Sequence, residues 1–145
     1  MNYLDNIGFL LQHLSAKLGK QNDLILQEKL GIGYSQFKLL IVIQWKPSLG
    51  QKQIAQKLSQ TEASISRQIK LMLDDGLLKI TTDSKDRRQH ITNLTPRGER
   101  LAQQSKELLS AYYSSIFNKL PKEEYNSLIS SLNTINEILS NNKAN

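Results

Sequence analysis

A change of periodicity at Gly76 constrains this chain more than any other feature. Before it, the run Thr61-Glu62-Ala63-Ser64-Ile65-Ser66-Arg67-Gln68-Ile69-Lys70-Leu71-Met72-Leu73 puts Ile65, Ile69, Met72 and Leu73 on one side of a 3.6-residue helix. Ser64, Arg67 and Lys70 fall on the other side. After it, Leu77-Leu78-Lys79-Ile80-Thr81 and His90-Ile91-Thr92-Asn93-Leu94 read as short strands around the charged loop Asp83-Ser84-Lys85-Asp86-Arg87-Arg88. The stretch from Thr61 to Gly98 is therefore a polar-faced helix followed by a hairpin with an exposed, mostly basic tip. Gly76 supplies a left-handed cap, while Asp74 and Asp75 in the last turn oppose the helix dipole and blur its end.

The preceding chain supplies what such a helix needs behind it. Leu4, Ile7, Leu11, Leu14 and Leu18 recur at three and four, and the pattern continues through Asp23 to Leu30 before Gly31. Gly8 and Gly19 weaken that helix, so the reading is one long helix with a bend, or two helices. Tyr34 to Trp45 resumes the periodicity with Phe37, Leu40, Ile41 and Trp45, and Lys46-Pro47 closes it. Gln51 to Leu58 is a short helix with Ile54, Ala55 and Leu58 inward, joined by Ser59-Gln60 to the Thr61 helix. Helix, short helix, tight turn, polar-faced helix and hairpin make a winged helix-turn-helix, whose second helix enters the DNA major groove.

Beyond the hairpin, Thr95-Pro96 is a helix start with the hydroxyl as cap and proline in the first turn. That helix runs to about Leu120. Pro121-Lys122-Glu123-Glu124 opens another, striped by Tyr125, Leu128, Ile129, Leu132, Ile135 and Leu139, with a frayed tail from Asn141 to Asn145. The first and last helices carry more apolar surface than a small winged module can cover, which points to a second copy of the chain. An enlarged monomer core is the competing use of that surface. The expected fold class is mainly α with a two-stranded β-wing. Its 145 residues form a single unit, with a DNA-binding lobe over 34–94 and a helical dimerisation region over 1–30 and 95–140.

Charge narrows the partner. The net charge is +6, and residues 50–100 hold ten Lys/Arg against six Asp/Glu, so the basic excess is centred on the polar-faced helix and the loop. A polyanion such as double-stranded DNA is the partner this arrangement suits, and a solubilising charge surplus is the competing reading. With no cysteine and only His13 and His90, thiolate chemistry and a dedicated zinc site are excluded as expectations, and no cofactor is expected. No phosphate loop, activated nucleophile or metal spacing indicates an enzyme. Absence of a membrane-length apolar run and of a signal-peptide pattern gives the expectation of a soluble, cytoplasmic protein.

Individual side chains then acquire roles. Arg67 can donate a bidentate pair to guanine, Gln68 can pair with adenine, and Ser64 and Ser66 can reach bases or phosphates. Arg87 and Arg88 can enter a narrow minor groove. Lys52, Lys57, Lys70 and Lys85 are phosphate contacts or plain surface charge. His90 reads as a surface residue of the wing and His13 as packing beside the helical interface. Tyr112, Tyr113 and Phe117 are either core or the lining of a ligand cavity between helices and DNA-binding lobe.

The spacing Asp86-x-Arg88, five residues, Leu94-Thr95-x-x-Gly98 resembles the wing signature of the MarR family, the multiple-antibiotic-resistance-type transcriptional regulators. Weaker agreements cover nearly the whole chain: Gln36-Phe37, Ile54-Ala55-x-x-Leu58, Ile65-x-Arg67, Gly76-Leu77 and Glu123-Glu124. The resemblance implies a homodimer on pseudo-palindromic operators, usually a repressor released by a small aromatic or lipophilic effector. It also implies that Arg88 is the wing arginine and that Asp86 orients it. The sequence departs from the family pattern at Gly33, where a Ser or Thr cap is usual, and at Ser84-Lys85, which replaces a common Pro-Arg. Gln68 stands at a usually apolar position and Leu71 at an often charged one. Leu71 motivates a different reading, a winged-helix adaptor that binds protein through that face, and a third is a nonspecific architectural DNA binder.

Overall fold

A computed structural model describes residues 5–88 and 90–142, without the side chain of His90. Among these residues six helices and one hairpin follow in the order α1 (Ile7–Leu30), α2 (Tyr34–Trp45), α3 (Gln51–Leu58), α4 (Glu62–Asp74), β1 (Leu78–Thr82), β2 (His90–Leu94), α5 (Pro96–Phe117) and α6 (Lys122–Asn141). This is the expected mainly α chain with a winged helix-turn-helix and flanking helices. No helix among the described residues is long and apolar enough to cross a membrane.

The two options for the N-terminal helix resolve to a single 24-residue helix. It starts at Ile7 because the Asn6 Oδ1 accepts from the backbone N–H groups of Gly8 at 2.9 Å and Phe9 at 3.4 Å, satisfying donors that have no partner within the helix. Leu4, assigned to the apolar stripe, lies outside the described residues, as do residues 143–145 of the tail. Gly31 ends α1 in the left-handed conformation, with φ at 68°.

Gly33 offers no hydroxyl to the start of α2, and two other side chains replace it. Gln36 Oε1 accepts from Gly33 N–H at 2.9 Å, and Asp23 Oδ1, reaching over from α1, accepts from Tyr34 N–H at 2.9 Å. A Cβ at position 33 would stand 3.3 Å from that carboxylate oxygen, so the residue that lacks a cap also leaves room for the substitute.

The chain forms two compact units, the first reaching Leu108 and the second running from Leu109. The core of the first gathers Leu26 from α1, Leu39, Leu40 and Ile43 from α2, Ile54 from α3, and Ile65 and Met72 from α4, each at most 2% exposed. Burying side chains of this size stabilises by roughly 1.5–3 kcal/mol each. Trp45 departs from the α2 stripe expected for it. It is 65% exposed at the helix end, with the Lys57 ammonium 4.5 Å from the ring centroid, while Leu39, Leu40, Val42 and Ile43 bury the inner side instead.

In the second unit, α6 has no buried residue, and its Tyr125, Leu128, Ile129, Leu132, Ile138 and Leu139 are 37–60% exposed. Pro121 precedes it, and Glu123 and Glu124 occupy its first turn, where acids complement the helix dipole.

Candidate nucleic-acid interface

The turn that aims α4 is tight because of backbone bonding at the end of α3. Ser59 adopts a left-handed conformation, φ 53° and ψ 43°, uncommon for a residue with a side chain. Its N–H donates to the Gln56 carbonyl at 3.3 Å, and Gln60 N–H donates to the Ala55 carbonyl at 2.9 Å. These two bonds close a Schellman motif and reverse the chain within three residues. Thr61 then caps α4, its Oγ1 accepting from Ser64 N–H at 3.1 Å, with Glu62 in the first turn. Ala55, 3% exposed, is the small residue on the α3 side of the packing between α3 and α4.

Each position of α4 follows from that packing. Ile65, Ile69 and Met72 are buried; Ser66, Arg67, Lys70 and Leu71 are exposed. Ser64 and Gln68 occupy the seam between these faces and are half-buried. Gln68 Nε2 donates to Gln60 Oε1 at 2.7 Å and to Ser64 Oγ at 3.2 Å, and the Ser64 hydroxyl donates to Gln60 Oε1 at 3.2 Å. Gln68 Oε1 is buried without a hydrogen-bond partner among the described residues. The structure thus separates the residues nominated on α4. Arg67, Ser66 and Lys70 face outward, whereas Gln68 would have to give up two hydrogen bonds, each worth about 0.5–1.5 kcal/mol net, to reach a base.

The wing is a five-residue antiparallel pair in which Leu78 faces Leu94, Ile80 faces Thr92 and Thr82 faces His90. Among the described side chains of the two strands only the base is buried, Leu78 at 3% and Leu94 at 6% exposed, so the hairpin is held at that end. An isolated hairpin is marginal in water, and the anchored Leu78–Leu94 pair supplies what it lacks. At the tip, Asp83 Oδ1 accepts from Lys85 N–H at 2.8 Å and Asp86 Oδ1 accepts from Arg88 N–H at 3.0 Å. Asp86 therefore holds Arg88 through its backbone. Lys85, Arg87 and Arg88 are all exposed.

What fixes the wing to α4 is a set of bonds around Thr95. Gly76, φ 70°, ends α4 with its N–H donating to the Leu73 carbonyl at 3.0 Å, and Leu77 N–H donates to the Met72 carbonyl at 2.9 Å. The Thr95 hydroxyl accepts from Gly98 N–H at 3.1 Å and donates to the Gly76 carbonyl at 2.7 Å. The Thr95 N–H donates to the Leu77 carbonyl at 3.0 Å. A Cβ on Gly98 would overlap the Leu77 carbonyl oxygen. Position 98 must be glycine for α5 to approach this corner. Arg97 Nη1 donates to the Asp75 carbonyl at 2.7 Å, placing a cation at the α4 C-terminus where Asp74 and Asp75 oppose the dipole. Sequence patterns identified Thr95 as a cap and Gly76 as a helix stop. They carried no signal that the two are bonded to each other.

The nominated ligand-pocket residues lie together in the second unit. Tyr112 and Tyr113 have ring centroids 5.9 Å apart, and Tyr113 and Phe117 are 6.4 Å apart; all three are half-buried.

Comparison with known proteins agrees with this geometry. The MarR family model matches residues 32–90, from the end of the α1–α2 connection to the second strand of the wing. The HTH-type transcriptional regulator BilQ of Clostridium symbiosum is 27% identical over 105 residues, covering 72% of this chain and 73% of that protein. A MarR/EmrR family transcriptional regulator from Acinetobacter sp. ADP1 superposes with a TM-score of 0.80 at 18% identity, covering 97% of this chain and 99% of that one. The S. aureus MepR–DNA complex superposes with a TM-score of 0.75 at 20% identity, covering 96% and 99%. The chain thus carries a MarR-family domain over residues 32–90 and shares the fold of MarR-family regulators along nearly its whole length.

Proposed function

We propose that this protein is a sequence-specific DNA-binding regulator, acting as a homodimeric repressor on pseudo-palindromic operators. The observation that carries the reading is the outward face of α4. Ser66, Arg67 and Lys70 are exposed together on a helix fixed by a tight turn, beside a wing whose tip presents Lys85, Arg87 and Arg88. In this reading α4 enters the major groove and Arg67 donates to a guanine, while Arg87 and Arg88 lie against the minor groove. Residues 34–94 form the DNA-binding lobe. Residues 1–30 and 95–140 form the dimerisation region, a role supported by the uncovered apolar stripe of α6. MepR, which shares the fold, was solved with DNA, and this supports DNA as the partner. A small lipophilic or aromatic effector that releases the operator is the finer part of the proposal, supported by the Tyr112, Tyr113 and Phe117 cluster.

Selection of bound sequences from random duplexes at fixed salt tests the reading. An inverted repeat with half-sites about one helical turn apart, roughly 10–10.5 base pairs centre to centre, is the expected product. Binding without sequence enrichment would make the protein architectural. Loss of all binding at low salt would remove DNA as the partner. Arg67→Ala is expected to relax the choice at one base position per half-site by about 1–3 kcal/mol of discrimination. Equal weakening on selected and random duplexes would make Arg67 a phosphate contact.

A further inference from the structure

We infer that Leu71 is a specificity-determining residue, reading the 5-methyl group of a thymine in the same major groove that Arg67 enters. This rests on the proposed DNA-binding reading and deepens it. Leu71 is 59% exposed and sits four residues after Arg67, so the two side chains are neighbours on the outer face of α4. A rise of about 1.5 Å per residue separates them by about 6 Å along the helix, close to two base-pair steps of roughly 3.4 Å.

Exposed leucines are ordinary elsewhere on a protein surface, and here the setting gives this one its meaning. It is the single large hydrophobic exposed on α4, with Arg67 one turn before it and Asp74 and Asp75 one turn after. A protein-docking face would need a contiguous apolar patch of a few hundred Å². One apolar side chain a single turn beyond Arg67 instead matches a groove wall in which thymine methyls lie between two rows of phosphates. Asp74, three residues further on the same face and exposed, would be repelled by phosphate, which makes Leu71 the last base-facing position of the helix.

The experiment uses the sequence selected by the wild-type protein, with each thymine replaced in turn by deoxyuridine, a change that removes the methyl and nothing else. At one thymine per half-site, about two base pairs from the Arg67-dependent guanine, the replacement is expected to weaken wild-type binding about fourfold, the worth of one methyl-sized group. Leu71→Ala, which withdraws the side chain from the base edge, is expected to bind thymine and uracil duplexes equally. Leu71→Met is expected to restore the difference. If no uracil replacement changes wild-type affinity, or if Leu71→Ala keeps the fourfold difference, the inference falls while the DNA-binding reading stands. If no sequence is selected at all, both fall.

Discussion

Gly98 shows how one residue type can be dictated by a contact distant in sequence. Its α-carbon lies so close to the Leu77 carbonyl that any side chain would overlap it, and this holds the start of α5 against the end of α4. Gly98→Ala is therefore expected to destabilise the folded chain by about 1–3 kcal/mol, as overpacking does, read from the midpoint of urea unfolding. An unchanged midpoint would mean that the corner relaxes freely and does not position the wing. At the same scale, periodicity was enough to find Ile65, Ile69 and Met72 as the buried side of α4, because helical geometry links neighbours in sequence to one face. It was not enough for Gln68, whose amide is turned into the seam by Gln60, eight residues away. Nor could it find the Asp23 cap on Tyr34, because that bond depends on how two helices cross. Trp45 was misplaced for a related reason. A helix-end position belongs to the stripe by angle and still faces solvent, here with the Lys57 ammonium over its ring.

Among the elements, the wing carries the clearest electrostatic test. Local chemistry made it readable: two short strands, a charged connection and a Thr-Pro helix start follow in order within the stretch from Leu77 to Pro96. Its attachment was not readable, since the Thr95 hydroxyl bonds a carbonyl nineteen residues earlier. If Arg88 lies against the minor groove, Arg88→Ala should weaken operator binding and leave the selected major-groove bases unchanged. Each phosphate neutralisation contributes about 0.9 to the slope of log affinity against log salt, so a dimer that loses two cations should lose about 1.8. An unchanged affinity and slope, with folding intact, would leave Asp86 and Arg88 as a turn at the tip of the hairpin and nothing more.

For the whole molecule, the apolar stripe of α6 is the feature a single chain leaves unexplained. Six large side chains at 37–60% exposure along one helix are expected to be covered by a second copy, so light scattering should give about twice the 16.5 kDa chain mass. A 16.5 kDa particle at micromolar concentration would contradict that assignment and with it the palindromic operator. The central claim, that α4 reads sequence, is tested most directly by the ratio of affinities for the selected operator and a scrambled duplex at one salt concentration. Groove readout predicts a ratio of about 1,000 or more. A ratio near one, with affinity following salt alone, would show that the basic face binds phosphate without reading bases.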